Sequence, residues 1–237
     1  MIRTERRFHV TVKHANKTYW RDIIRPCLYT AYTGKSSIGF IKKHVYSVQI
    51  DLTQSEDELL QGCKSNTRNE IRRGIKEGYL VQEVDKPTEF LSFYNVFAKE
   101  KHLATININN ISSYDNIYLY KVTNSDGAVL AMHASVGDKD ESIVSLMYSA
   151  SARLQDGIDR KSVGFANRLL HYQEFIEFKK LEYRVYDFTN ICLDENQPEK
   201  YKIGQFKQGF GGNIVEYYSL FSIPFWITLQ IKHLLGK

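Results

Sequence analysis

Three β-rich runs, at 117–122, 128–136 and 142–149, constrain most tightly what this chain can fold into. The gaps between them are turn-forming: Asn124-Ser125-Asp126-Gly127 and Gly137-Asp138-Lys139-Asp140. Gaps this short close only antiparallel hairpins, because a parallel crossover takes roughly a dozen residues or more. An antiparallel meander is therefore predicted, and its apolar faces must be covered by other elements.

The flanking sequence supplies the covers. Residues 45–50 read as a strand. Ser55-Glu56-Asp57-Glu58 and Thr67-Arg68-Asn69-Glu70 each match the Ser/Thr-x-x-Glu capping box, in which hydroxyl and carboxylate satisfy orphan helix-start N–H groups. They predict two successive helices, the second running through Ile71 and Ile75 to Gly78. Residues 79–84 return as a strand. Pro87 opens a helix, where its missing N–H costs nothing, and Phe90, Tyr94, Phe97 and Lys101 recur at helical spacing. A polar loop is expected at 105–115. Beyond the meander, a long helix over 162–180 puts Phe165, Leu169, Tyr172 and Ile176 on one face. A strand at 183–187, a short helix at 199–208 and a strand at 213–218 complete an α+β order. Its mixed, mostly antiparallel central sheet carries helices on both faces. Residues 8–12 are strand-like, and the rest of the first forty-odd residues have no clear period. The expected division is an N-terminal segment, 1–44, within the same domain as 45–220, then a C-terminal apolar helix within 221–237.

Composition narrows the function class. A formal charge of +5 suits an anionic small ligand such as a nucleotide-sugar, CoA or a lipid diphosphate as well as it suits RNA. Cys27, Cys63 and Cys192 have no metal-ligand or disulfide spacing, so no metal and a reducing cytoplasm are expected. The charged start Met1-Ile2-Arg3-Thr4-Glu5-Arg6-Arg7 is unlike a secretory signal, and no apolar run approaches the roughly 20 residues of a membrane span.

Lys161-Ser162-Val163-Gly164-Phe165-Ala166, after the meander and opening the long helix, resembles the Gln/Arg-x-x-Gly-x-Gly/Ala turn of the GNAT superfamily of acyl-CoA transferases, with Lys at the first position. Small residues there let backbone approach a pyrophosphate, and free N–H groups face it with a favourable dipole. Lys161, Val163, Gly164 and Ala166 are thus the expected acyl-CoA contacts. Tyr186-Asp187-Phe188, followed by Phe206-Lys207-Gln208-Gly209-Phe210-Gly211-Gly212, is similar to the C-terminal signature of the Fem family, the peptidoglycan-bridge aminoacyltransferases built from GNAT-like domains. The stretches 66–83 and 164–188 also resemble that family. Thr189 and Asn190 stand where the family has glycines, and the chain has room for about one of the family's two GNAT-like units.

What the resemblance implies is N-acyl transfer to an amine by direct attack. Acyl-CoA, most simply acetyl-CoA, is the expected donor, with aminoacyl-tRNA as the alternative. The expected acceptor is a nucleotide-linked or lipid-linked amino sugar of an envelope or polysaccharide precursor; a non-catalytic glycan-binding or scaffold domain is the contrasting reading. Lys207 inherits a place near the reacting carbonyl, where a fixed cation stabilises the oxyanion. His133, mid-strand on the face shared by Ala131 and Ser135, and Asp187, at a strand's C-terminal end, are the candidate bases. Arg68, Tyr148 and Phe206 are candidate substrate contacts. Residues 224–235 form a short apolar helix, expected either to dock on protein or to lie at the inner face of the membrane with Trp226 and Lys232 as anchors.

Overall fold

A computed structural model describes residues 3–7, 10–14, 18–32, 34, 37–112, 114–155 and 157–234. In chain order its elements are β1 (Arg3–Arg7), β2 (Val10–His14), β3 (Cys27–Tyr32), β4 (Phe40–Asp51), α1 (Glu56–Gly62), α2 (Ser65–Lys76), β5 (Leu80–Glu83), α3 (Pro87–Glu100) and α4 (Ile108–Ser112). These are followed by β6 (Ile117–Thr123), β7 (Val129–Asp138), β8 (Ile143–Ser151), α5 (Arg160–Lys180), β9 (Val185–Asp187), α6 (Pro198–Gln208), β10 (Asn213–Ser222) and α7 (Ile223–Leu234). They group into two units, Met1–Ser47 with Ile214–Lys237, and Val48–Asn213.

The meander lies in the second unit. β6 pairs antiparallel with β7 and β7 with β8, while β5 adds antiparallel to the outer edge of β6. β9 joins β8 in parallel, and the end of β4 joins β9 antiparallel. The mixed, mostly antiparallel sheet and its α+β class match the expectation. Alternation along β7 divides the covers. Met132 and Ala134 meet Phe90, Tyr94 and Ala98 of α3, whereas His133 faces α5. The α5 face is unusually aromatic: Phe175, Tyr186, Phe188 and Phe210 contact one another edge-on or tilted at 4.9–5.9 Å. Such pairs contribute about 0.5–1.5 kcal/mol each beyond their buried area.

Local signals succeeded unevenly. Ser55 and Glu58 form the predicted capping box, with reciprocal side-chain to backbone bonds. The second box does not form. α2 starts at Ser65 because the amide of Lys64 is held by the Gly209 carbonyl at 2.8 Å, so Thr67 is already inside the helix and buried. Glu70 bonds Asn66 and Arg168 instead. The 105–115 loop contains α4, and α5 begins at Arg160, two residues earlier than expected. Of the strand-like stretch 8–12, residues 10–12 lie in β2, and Phe8 and His9 lie outside the described residues.

In the first unit β1 and β2 pair antiparallel, β2 and β3 parallel, and β3 and β10 antiparallel. Cys27, Tyr29, Tyr32 and Leu220 form its buried cluster, with Phe40 and Tyr218 packed against it. Among the described residues no helix is long and apolar enough to cross a membrane.

Candidate functional site

The parallel pair β8–β9 is brief. Only Ile143, Val144 and Ser145 pair with Val185, Tyr186 and Asp187; β9 then ends while β8 continues to Ser151. Backbone pairing between the two stops there, at the carboxyl end of β9. Thr189 and Asn190 there adopt φ of 51° and 23°, the left-handed region that favours glycine. These are the two positions where the Fem signature has glycines. Thr189 is tied down three ways: its amide donates to the Asp187 carboxylate at 2.7 Å, its hydroxyl donates to the Leu146 carbonyl at 2.9 Å, and its carbonyl accepts from Lys207.

Lys207, near the end of α6, aims its ammonium into this turn. It donates to the carbonyls of Phe188 at 2.8 Å, Thr189 at 2.7 Å and Asn190 at 3.1 Å. Burial lowers its pKa to about 8, opposed by the nearby Asp187 carboxylate. A desolvated cation therefore holds a strained turn at the carboxyl end of β9. Asp187 is buried and also accepts from the Gln49 side-chain amide at 2.9 Å.

The glycines of the same motif have a packing cause. Gly211 and Gly212 adopt φ of 82° and 79°. A Cβ on Gly211 would collide with the Gly62 carbonyl, and one on Gly212 with the Gln49 carbonyl. Gly212→Ala is expected to destabilise the fold by about 2 kcal/mol or more, read by urea titration, because an L side chain is disfavoured at that φ before any collision is counted.

Beneath the sheet end lies a buried polar group. His133 is fully buried, with Nδ1 3.0 Å from Glu174 Oε2 and Nε2 2.8 Å from Asn167 Oδ1. Glu174 Oε2 also accepts from the Tyr186 hydroxyl at 3.2 Å, and Oε1 has no hydrogen-bond partner among the described residues. The His171 ring lies 4.1 Å from the His133 ring and is enclosed by Phe188, Phe206 and Phe210. Burial drives His171 down to about 3, so it is neutral. Burial alone would raise Glu174, but His133 and its hydrogen bonds prevail and hold it well below the usual carboxylate range. One ligand-type atom from each of His133, His171 and Glu174 lies within 4.8 Å of the others. His133, however, already meets oxygen partners at both ring nitrogens. The sequence reading found His133 alone. Asn167, His171 and Glu174, spaced four and three apart on the long helix, were the available signal: a polar stripe within an otherwise apolar element.

The other expected residues are dispersed. Lys161, Val163, Gly164 and Ala166 lie in the first turns of α5, where Lys161 is exposed and Val163 and Ala166 are packed into the core. The helix start is capped by Asp159, whose carboxylate accepts from the amide and hydroxyl of Ser162 at 2.9 Å each. A pocket of about 440 Å³ at this end is lined by Glu77, Asp126 and Asp159 together with Tyr79 and Ser162. Arg68 donates to the carbonyls of Gln61 and Cys63, closing the α1–α2 junction. Tyr148 pairs opposite Ala134 and packs edge-on against Tyr94, on the sheet face opposite His133. Phe206 lies under the Arg168 guanidinium, 4.7 Å from it, and beside His171. Arg168 pairs with Glu70 at 2.8 Å and links α5 to α2.

No protein-family model matches the chain, and no curated protein is similar to it in sequence. Solved structures are similar in fold. FemX superposes with a TM-score of 0.63 at 13% identity, covering 81% of this chain and 64% of FemX, so this chain spans less than two thirds of that protein. The C-terminal domain of a putative lysylphosphatidylglycerol synthetase from Agrobacterium fabrum gives 0.64 at 10% identity, covering 98% of this chain and 85% of that domain. L-PGS from Bacillus licheniformis gives 0.62 at 11% identity, covering 100% and 86%. The chain therefore shares the fold of FemX and of these two lysylphosphatidylglycerol-synthesis proteins.

Proposed function

We propose that this protein transfers an acyl group from an activated carbonyl donor to an amine of a cell-envelope or polysaccharide precursor. The observation that carries the reading is the Lys207 ammonium, desolvated and clamped on the strained 188–190 turn at the carboxyl end of β9. An amine entering there attacks the donor carbonyl. The C–N bond forms as negative charge gathers on oxygen, and collapse of the adduct expels the thiol or hydroxyl leaving group. With its three N–H bonds taken by carbonyls, the ammonium in this poorly solvated site favours that charge through its field. The amine's proton needs an acceptor, and Asp187 is the side chain placed beside the ammonium. His133 lies deeper, closed off by Glu174 and Asn167, and serves to hold α5 on the sheet.

Acyl-CoA is the proposed donor, most simply acetyl-CoA, and the acceptor a nucleotide-linked or lipid-linked amino sugar. A second reading, an aminoacyl-tRNA donor, draws on two observations. Three carboxylates line the pocket at the start of α5 and repel a diphosphate placed there, and the solved structures of similar fold include FemX and the lysylphosphatidylglycerol synthetase domain. Thermal unfolding separates the two. Acetyl-CoA is expected to raise Tm, by linkage worth about 2.7 kcal/mol once present at a hundredfold excess over its Kd. An unchanged Tm at saturating concentrations overturns the CoA donor and leaves aminoacyl-tRNA as the substrate to assay.

A further inference from the structure

The modest net charge of the chain conceals an uneven split. Residues 1–47 with 214–237 hold twelve Lys and Arg against three Asp and Glu, a net of +9, whereas residues 48–213 hold 20 against 24, a net of −4. The basic unit also exposes large apolar side chains. On α7, Ile223, Ile227, Ile231 and Leu234 recur at spacings of four, four and three, and all are exposed, from 47% to 82%. The opposite side of that helix is occupied: the Phe225 and Trp226 rings lie 6.0 and 5.5 Å from Phe221. A hydrogen bond from the Cys27 amide to the Ser222 hydroxyl, 2.9 Å, brings the chain leading into β3 to the start of α7. That chain carries Trp20 and Ile24, 71% and 70% exposed, alternating with exposed Arg21 and Arg25.

We propose that this unit docks on an anionic lipid bilayer, with the α7 stripe, Trp20 and Ile24 entering at headgroup level and the basic residues meeting lipid phosphates. Twelve residues of helix cannot span a bilayer, but a helix with one apolar side suits its interface. Trp is favoured at that depth, and each Arg or Lys near an anionic leaflet adds attraction. Charge decides between a bilayer and a second copy of this chain. Pairing two +9 surfaces brings like charge together, whereas an anionic membrane neutralises it. Lys232, expected as an anchor, has a side chain outside the described residues. The inference extends the reading of a lipid-linked acceptor, but its test needs no turnover.

The test is co-sedimentation of the full chain with phosphatidylcholine vesicles, with and without phosphatidylglycerol, at low and high salt. Binding is expected only to the anionic vesicles and is weakened by salt. Ile227→Ser/Ile231→Ser and Arg21→Glu/Arg25→Glu should each reduce partitioning by about tenfold or more, at unchanged Tm. In a Trp226→Phe background Trp20 is the sole tryptophan, and its emission should shift to the blue on binding. Absence of binding to anionic vesicles, or binding that neither double variant alters, overturns the proposal. A dimer abolished by Ile227→Ser/Ile231→Ser, without vesicle binding, assigns the stripe to a second copy instead. Absence of vesicle binding by the unaltered chain, with acyl transfer to a soluble acceptor intact, rejects the docking surface alone.

Discussion

Replacing Lys207 with methionine is expected to lower kcat for acyl transfer about 100- to 1,000-fold, the usual effect of removing one oxyanion-stabilising group. The side-chain stem is kept, so packing along α6 is preserved while the ammonium and its three carbonyl contacts go. Stability also falls, because Thr189 and Asn190 are left in left-handed conformations without the clamp that holds them. The two losses can be separated. Thr189→Gly in the Lys207→Met background relieves the backbone strain and should restore Tm without restoring kcat. A further readout is pH. Burial places Lys207 at about 8, so the ammonium, and with it activity, is lost as pH rises through that value. A Lys207→Arg variant, whose guanidinium does not titrate, should lack this alkaline limb. Unchanged kcat in Lys207→Met, or recovery of kcat with Tm on adding Thr189→Gly, reduces Lys207 to a structural clamp. Absence of any acyl transfer by the unaltered chain favours instead a non-catalytic glycan-binding or scaffold domain.

Glu174→Ala is expected to cost about 3–5 kcal/mol of stability, because it strips a buried network of its anion. His133 Nδ1 loses its partner in a fully buried site, and the Tyr186 hydroxyl is left with His171 Nδ1, 3.2 Å away. Glu174→Gln keeps the volume and one acceptor oxygen and should lose less. Urea titration reads both. Acid should probe the same group. Glu174 is depressed from 4.5 to about 2, and His171 from 6.5 to about 3, so between those values the unfolded chain binds more protons. Stability is therefore full near neutrality. It declines as pH falls below about 6.5 through His171, and further below about 4.5 through Glu174. The decline should be shallower in Glu174→Gln, which removes one of the two groups. An identical acid profile in wild type and Glu174→Gln contradicts the assignment.

The strand and helix order was legible because it rests on local chemistry. Period-two and period-3.6 runs, Pro87 at a helix start and the Ser55 box each act within a few residues. The second capping box failed for the complementary reason. Thr67 and Glu70 have the right spacing, but the carbonyl of Gly209, 145 residues away from Lys64, set the start of α2 instead. Of the candidate site, Lys207 and Asp187 were found through a short motif and do lie beside each other, yet what Lys207 holds could not be read from that motif. Nor could the opposite placement of Tyr148, which a single pleat turns toward α3 and away from His133.

What the sequence by itself determined here is the repertoire: which segments pair, which helices have an apolar side, and where small residues permit close backbone approach. Only the tertiary structure decided that two non-glycine residues at 189 and 190 take left-handed backbone under a lysine from another helix. Likewise, only it brought an asparagine, two histidines and a glutamate together in the dark of the core. The physical reason is range. Propensity and periodicity act between neighbours along the chain. Desolvation, hydrogen-bond saturation and strain depend on which distant groups fill the last few ångströms, and that is settled only when the elements pack.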